Sequence, residues 1–349
     1  MKSKLTTIEK ILVIRFRSIG DIILSNPVLK GLRGSFPGSK IHYLVDDVFE
    51  DILFNNPHID KVITHPRSAE KQSIGKQMKS IKLLRQERYD AVVDLQAGPR
   101  GALTSLLTGA PIRAGHRFKM RNTICYNKYA KTPEPDCHTW KVQFAIARAI
   151  DVPWPKKPEF FLDTTDKNKN SVKLRFKQIG LMLDRPLAVL HPGARIYEKR
   201  WPGSKLGLLA RWLVDNRGFA VILAGNHNDK DEIEAIRKAS GYALPYFTDI
   251  SLGELVGIIN SVDLLVCNDS GPMHIAGALN IPTVAMFGPS DPALWSPIGS
   301  RKSLVTPPPM ECMPCDQKRC ERTGNHCMTH IGIDDVKKAV DQLMTKQGH

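Results

Sequence analysis

Two apolar runs, each breaking into small and polar residues just ahead of a helix-like segment, constrain this chain more than any other feature. Residues 187–190 read as a buried strand, which gives way to His191-Pro-Gly-Ala-Arg-Ile-Tyr-Glu-Lys-Arg-Trp201 and then to a helical pattern over 204–216. Residues 263–267 form a second apolar strand. Beyond it Asn268-Asp-Ser-Gly-Pro-Met-His274 opens into a helical pattern over 272–279. Strand-to-helix turns of this kind put backbone N–H groups and helix N-termini at the carboxyl edge of a parallel sheet, where anions bind, phosphates above all. Lys199, Ser270, Gly271 and His274 supply side-chain and close-approach chemistry for such a ligand. A phosphorylated, nucleotide-linked molecule is the expected occupant.

The rest of the sequence supports a sheet of that type. Apolar strands are expected at 11–16, 40–45, 61–64, 90–95 and 112–115, with helical patterns at 22–32, 49–54, 74–88, 99–109 and 138–150. The basic, weakly periodic segment 119–135 reads as a loop. After a Pro-rich break at 153–158, a helix over 167–179 leads into a second series, with strands at 187–190, 220–223, 263–267 and 283–287. Helices at 204–216, 229–239, 252–260 and 272–279 alternate with them. Alternation of strands and helices is the signature of a doubly wound parallel sheet, and 349 residues exceed one ordinary core. The expected architecture is therefore α/β: two Rossmann-like domains, 1–160 and 161–332, facing an interdomain cleft, with an amphipathic helix over 333–349 packing back on the body. The linker is placed within 153–168.

Composition narrows the class. Hydrophobic residues make up 42% and charged residues 24%, ordinary for a globular protein, and no apolar run is long enough to span a membrane. The N-terminal apolar run is too short for a signal-peptide core, so a cytoplasmic location is expected. A formal charge of +15 favours acidic partners such as nucleic acid, anionic headgroups or phosphorylated glycans. Nucleic acid is disfavoured because no recognition motif or aromatic-interleaved basic patch is present. Four of the seven cysteines, Cys312, Cys315, Cys320 and Cys327, crowd near the C-terminus beside His326. Four thiolates suit a closed structural zinc site, but the spacing is not the paired C-x2-C of zinc ribbons, and reduced thiols packing a loop are the alternative. A cytoplasmic setting disfavours disulfides.

An ordered set of motifs carries a family resemblance. Arg17-Ser-Ile-Gly-Asp21 followed by Asn26-Pro27, then Tyr89-Asp90, Ala194-Arg195 with Lys199 and Trp201, Asp269-Ser-Gly with His274, and Phe287-Gly-Pro-Ser-Asp291 span nearly the whole chain. Together with the Cys-rich tail they resemble the bacterial ADP-heptose:lipopolysaccharide heptosyltransferases, glycosyltransferase family 9. The Arg195–Lys199–Trp201 spacing looks most like the heptosyltransferase III-type branch, which extends an already heptosylated inner core.

The resemblance implies a GT-B glycosyltransferase that inverts the anomeric carbon by direct displacement. No metal is expected, since no Asp-x-Asp signature stands at a strand end, and ADP-heptose is substrate rather than cofactor. By the same resemblance Asp21 deprotonates the acceptor and Lys199 stabilises the departing diphosphate, while an Asp at a helix start is also favoured by the dipole alone. Gly193, Ala194, Arg195, Lys199, Gly225, Asn226, Asp269, Ser270, Gly271 and His274 would form the donor site, and Arg17, Ser18, Gly20, Arg117 and Arg121 the acceptor site. The family's acidic Gly-rich turn reads here Ala224-Gly-Asn-His-Asn-Asp229, which leaves open the side chain that reaches the ribose. Implied partners are a lipid A–inner core acceptor and the anionic inner face of the cytoplasmic membrane, with oligomeric state open. A paralogue that merely docks anionic glycolipid is the rival reading, opposed by the presence of Asp21 and Lys199.

Overall fold

The structure, a computed structural model, describes residues 8–67, 74–96, 98–116, 124–131, 136–181, 184–315, 320, 324 and 326–345. The chain divides into two compact units, Met1–Asp163 and Thr164–His349. In the first, β1 (Lys10–Ile14), β2 (Lys40–Asp46), β3 (Lys61–His65), β4 (Ala91–Asp94), β5 (Ile112–Gly115) and β6 (Lys128–Tyr129) form one sheet in the order β3-β2-β1-β4-β5-β6. All its pairs are parallel. In the second, β7 (Leu187–His191), β8 (Ala220–Ala224), β9 (Tyr246–Phe247), β10 (Leu264–Asn268), β11 (Thr283–Met286) and β12 (Lys302–Val305) run β12-β11-β10-β7-β8-β9, again all parallel. Counted within its own unit, each sheet has the doubly wound order 3-2-1-4-5-6.

Helices cover these sheets. In the first unit they are α1 (Ile19–Ile23), α2 (Asn26–Ser35), α3 (Ile74–Gln86), α4 (Pro99–Leu107) and α5 (Thr139–Arg148). In the second they are α6 (Asp166–Gln178), α7 (Gly203–Arg217), α8 (Lys230–Ser240), α9 (Leu252–Ile259), α10 (Gly271–Ala278), α11 (Pro292–Trp295) and α12 (Ile333–Thr345). Because both faces of a parallel sheet are buried, its central strands read as unbroken apolar runs rather than alternating ones. Ile11, Leu12, Val13 and Ile14 are all fully buried, as are Leu264, Leu265 and Val266. Val336, Val340 and Leu343 of α12 join Trp201, Leu206 and Leu213 in the core of the second unit. Buried side chains of this size contribute about 1.5–3 kcal/mol each, an upper estimate against an extended chain.

One polar clasp ties α6 to α9. Ser251 and Glu254 cap α9 reciprocally, and the Glu254 carboxylate also takes Arg175 Nε at 2.9 Å. Burial alone would raise the Glu254 carboxyl, but bonds from Ser171, the Ser251 N–H and Arg175 hold it down to about 2.

Two local expectations need correction. The single helix expected over 22–32 is broken at Leu24 and Ser25 into α1 and α2. Ser25 Oγ bonds the Ile22 carbonyl at 2.6 Å and Asn26 Nδ2 the Ile23 carbonyl at 2.9 Å. Pro27 then has no N–H to continue the ladder. Within the segment read as a loop over 119–135, Lys128–Tyr129 adds β6 to the edge of β5.

Candidate functional site

The order of each sheet reverses once, between β1 and β4 in the first unit and between β7 and β10 in the second. A crevice for ligands opens beyond the carboxyl ends of the strands flanking such a reversal. Asp21 and Lys199 each lie just past the first strand of their unit's reversal.

In the first unit, β1 runs out through Arg15 and Phe16 into the turn that starts α1. Arg15 is two-pronged. One guanidinium nitrogen meets Asp21 Oδ1 at 2.5 Å, and the other donates to the Leu95 carbonyl, past the end of β4. The Asp21 Oδ2 atom accepts from Ser18 Oγ at 2.9 Å, with the Ser18 N–H at 3.4 Å. Gln143 of α5 donates to the Asp21 backbone carbonyl at 3.0 Å, and Gln96 takes the Phe16 N–H at 3.0 Å. Both carboxylate oxygens are therefore positioned; Oδ2 takes both Ser18 donors, and Oδ1, held by Arg15, keeps a lone pair for another donor. Gly20 is buried while Arg17 and Ser18 are exposed. Arg117 and Arg121 lie outside the described residues.

In the second unit two turns meet. Asn268, fully buried at the end of β10, accepts the Trp201 N–H at 2.9 Å and donates to the Pro192 carbonyl at 2.7 Å. One amide thus stitches the turn after β7 to the turn after β10. Lys199, at the end of the 3₁₀ turn Tyr197–Lys199, donates to Asp269 Oδ2 at 2.6 Å. Ser270 stands at the N-cap position of α10, but its hydroxyl donates back to the Asn268 carbonyl at 3.1 Å rather than capping the helix. His274 is buried within α10, Ala194 is buried, and Arg195 is exposed. The arrangement sets an ammonium and a helix N-terminus side by side, which suits a diphosphate.

Behind these turns sits a carboxylate that sequence reasoning did not assign. Asp229 is fully buried, meets Arg200 Nη2 at 3.2 Å and accepts the Asn226 N–H at 2.9 Å. A Cβ on Gly193 would come within 2.6 Å of its Oδ2 atom, and one on Gly225 within 3.1 Å. Both glycines are thus close-approach positions sealing Asp229 from the turn surface, whereas Asn226 and His227 are exposed there. Burial lowers the neighbouring His191 imidazole from its ordinary value, against the pull of the Asp229 carboxylate. The signal in the sequence was only an acidic residue five positions after a strand.

The cysteine tail packs against the Tyr197–Lys199 turn: the Cys320 N–H donates to Glu198 Oε1 at 3.3 Å, and the His326 ring meets the Tyr197 ring edge-on. Cys312, Cys315, Cys320 and Cys327 are all free thiols. Burial pushes the Cys327 thiol up to about 11, with Cys315, Cys320 and Cys312 adding to the rise. Among the described residues no group of three or more His, Cys, Asp or Glu side chains is arranged to hold a metal ion. Nor is any described helix long and apolar enough to cross a membrane.

With this geometry in place, comparison with known proteins decides the family. The sequence profile of glycosyltransferase family 9 (heptosyltransferase) matches residues 77–326. The chain belongs to glycosyltransferase family 9. Lipopolysaccharide heptosyltransferase 1 of Campylobacter coli is 29% identical over 294 residues, covering 80% of this chain and 84% of that protein. Lipopolysaccharide heptosyltransferase 2 of Escherichia coli K12 is 28% identical over 312 residues, covering 85% and 87%. The solved structure of E. coli ADP-heptose lipopolysaccharide heptosyltransferase II superposes with a TM-score of 0.79 at 26% identity, over 97% of this chain and 100% of that one. The family's α/β architecture of two Rossmann-type units, GT-B, is the architecture found here. Asp21 precedes the profile match, so its place in the site rests on the geometry of the first turn.

Proposed function

We propose that this heptosyltransferase moves a heptose from ADP-heptose to a hydroxyl of the lipopolysaccharide inner core. The observation that carries this reading is the second reversal point, where Asn268 joins two strand-to-helix turns and presents Lys199 beside the N-terminus of α10. In the proposed step the acceptor hydroxyl gives its proton to an Asp21 carboxylate oxygen. The acceptor oxygen bonds the anomeric carbon as the bond to the β-phosphate oxygen breaks, and ADP leaves with that electron pair. A single displacement inverts the anomeric centre. Lys199 and the α10 N–H groups neutralise the charge that grows on the leaving diphosphate, so this reading requires no divalent metal. Asp269 fixes the ammonium, and Gly193, Ala194, Arg195, Gly225, Asn226, Ser270, Gly271 and His274 complete the donor turns.

Arg15 has a distinct task. It touches neither substrate in this scheme but clamps Asp21 Oδ1 to the end of β4, and so acts as a positioning residue. Arg17, Ser18 and Gly20 line the acceptor side, and the lipid anchor of the acceptor calls for peripheral attachment to the anionic inner face of the cytoplasmic membrane. The test is transfer by purified protein from ADP-heptose to a truncated core acceptor, in EDTA, with the anomeric configuration of the product read by NMR. Retention of configuration, or dependence on added divalent metal, overturns the proposed step. No transfer from any nucleotide sugar would leave a protein that only docks glycolipid.

A further inference from the structure

On the first unit, the α3–α4 face combines exposed apolar bulk with positive charge that no described acidic residue pairs. α3 reads Ile-Gly-Lys-Gln-Met-Lys-Ser-Ile-Lys-Leu-Leu-Arg-Gln, with four basic residues and no acidic one. Its inner face is conventional. Ile81 and Leu84 pack with Leu12, Phe16 and Leu44. The outer face is not. Met78 is 55% exposed, Leu83 57%, and Leu103 on the adjacent α4 53%. Met78 and Leu103 lie at the mouth of a cavity of about 390 Å³ between α3 and α4, walled by Ile81, Leu84, Leu107 and Phe16. Around it Lys79, Lys82 and Arg85 are exposed. None of the three forms a salt bridge with a described residue.

Apolar side chains ringed by lysines are the composition of surfaces that lie in a lipid headgroup layer. A second copy of the same face is a poor occupant, since it would bring two sets of unpaired cations together. We propose that the α3–α4 face docks on an anionic bilayer, with Met78, Leu83 and Leu103 entering the headgroup boundary and Lys79, Lys82 and Arg85 facing anionic headgroups. The proposal rests on the membrane attachment suggested above and names the face that makes it. The basic run around 113–131 is the rival face. There, however, Arg113 already donates to the Cys125 carbonyl at 2.8 Å and the Ala110 carbonyl at 2.6 Å.

Co-sedimentation of the full chain with vesicles tests the face. Wild-type protein should bind phosphatidylcholine vesicles containing phosphatidylglycerol, not phosphatidylcholine alone, and added salt should release it. Lys79→Gln with Lys82→Gln should weaken binding about thirtyfold, from about 1 kcal/mol per lysine at 1.4 kcal/mol per tenfold. Leu83→Ser should weaken it about tenfold. All three positions are exposed, so melting temperature and ADP affinity should not move. Wild-type binding that these variants leave intact would keep membrane attachment and overturn this face. Absence of wild-type binding would overturn both, and equal binding to neutral vesicles would overturn the charge argument. A dimer broken by the same variants, without vesicle binding, would reassign the face to a second copy.

Discussion

The two reversal points are built on one topology but place opposite charges past their first strands. In the first unit an arginine, anchored on the Leu95 carbonyl, holds the carboxylate of Asp21. In the second a carboxylate, Asp269, holds the ammonium of Lys199. The proposed working group is the anion in one and the cation in the other, and each has a fixed counter-charge beside it. In the proposed function the same fold thus offers one site for taking a proton and one for receiving negative charge. The difference comes from a few residues past the strand ends, not from the sheets.

The sharpest way to break this comparison is Asp21→Asn. It should cut kcat about 10²–10⁴-fold, the usual worth of a general base, and leave ADP affinity unchanged in a calorimetric titration. A variant keeping more than about a tenth of the wild-type rate would remove Asp21 from the chemistry. Next, Lys199→Ala should lower kcat about 10²–10³-fold and, unlike Asp21→Asn, weaken ADP binding as well. Should ADP affinity fall with Asp21→Asn and not with Lys199→Ala, the two roles are exchanged between the units.

Stability offers a third test, specific to the second unit. The Glu254 carboxyl is depressed from its ordinary 4.5 to about 2. A depressed carboxyl adds stability that is full above the unfolded-state value and is lost as pH falls through the folded one. Glu254→Gln should therefore destabilise by about 1.5–3 kcal/mol near neutrality. In urea melts the gap from wild type should close between about pH 4.5 and 2. A gap independent of pH would show that packing, not charge, ties α6 to α9.

Smaller effects separate holding from reacting. Arg15→Gln should slow kcat about tenfold, within the loss of one bond to a charged group, with KM for the donor unchanged. Arg15→Lys should recover most of it, since a cation remains beside Oδ1. A rise in donor KM with kcat intact would place Arg15 in binding. Ser270→Ala should be mildest, about 0.5–1.5 kcal/mol in ADP affinity, because its hydroxyl already bonds the Asn268 carbonyl.

Much of the fold was legible because buried parallel strands write themselves as apolar runs, and β1, β7 and β10 are of that kind. Of the four edge strands only β3, expected over 61–64, was legible. Lys128–Tyr129 and Tyr246–Phe247 are two residues each, too short for any periodicity, and β12 begins on a lysine. The positions of Asp21 and Lys199 after strands were readable, but their partners were less so. Arg15 was hidden inside the run Ile11–Phe16, where one arginine among apolar neighbours reads as strand. Arg17, two positions on, is exposed and has no described contact with the Asp21 carboxylate. Asp229 was missed as a buried anchor because its burial depends on Gly193 and Gly225 closing over it, a contact between turns far apart in sequence.

The segment before α12 reaches back to the turn carrying Lys199, which the proposed function sets against the diphosphate. Trp201, two residues past Lys199, is fully buried, and its indole N–H bonds the Ile331 carbonyl at 3.2 Å. Lys205 donates to the carbonyls of Thr329 and Ile331, each at 2.8 Å. Those carbonyls stand just ahead of α12, whose apolar face closes the same core. A truncation before residue 326, or a fusion that pulls α12 away, would leave every donor-site residue in place and still spoil the site. Loss of this distant peg would register at the bench as poor grip on ADP, and a screen for binding defects would misfile it among active-site lesions.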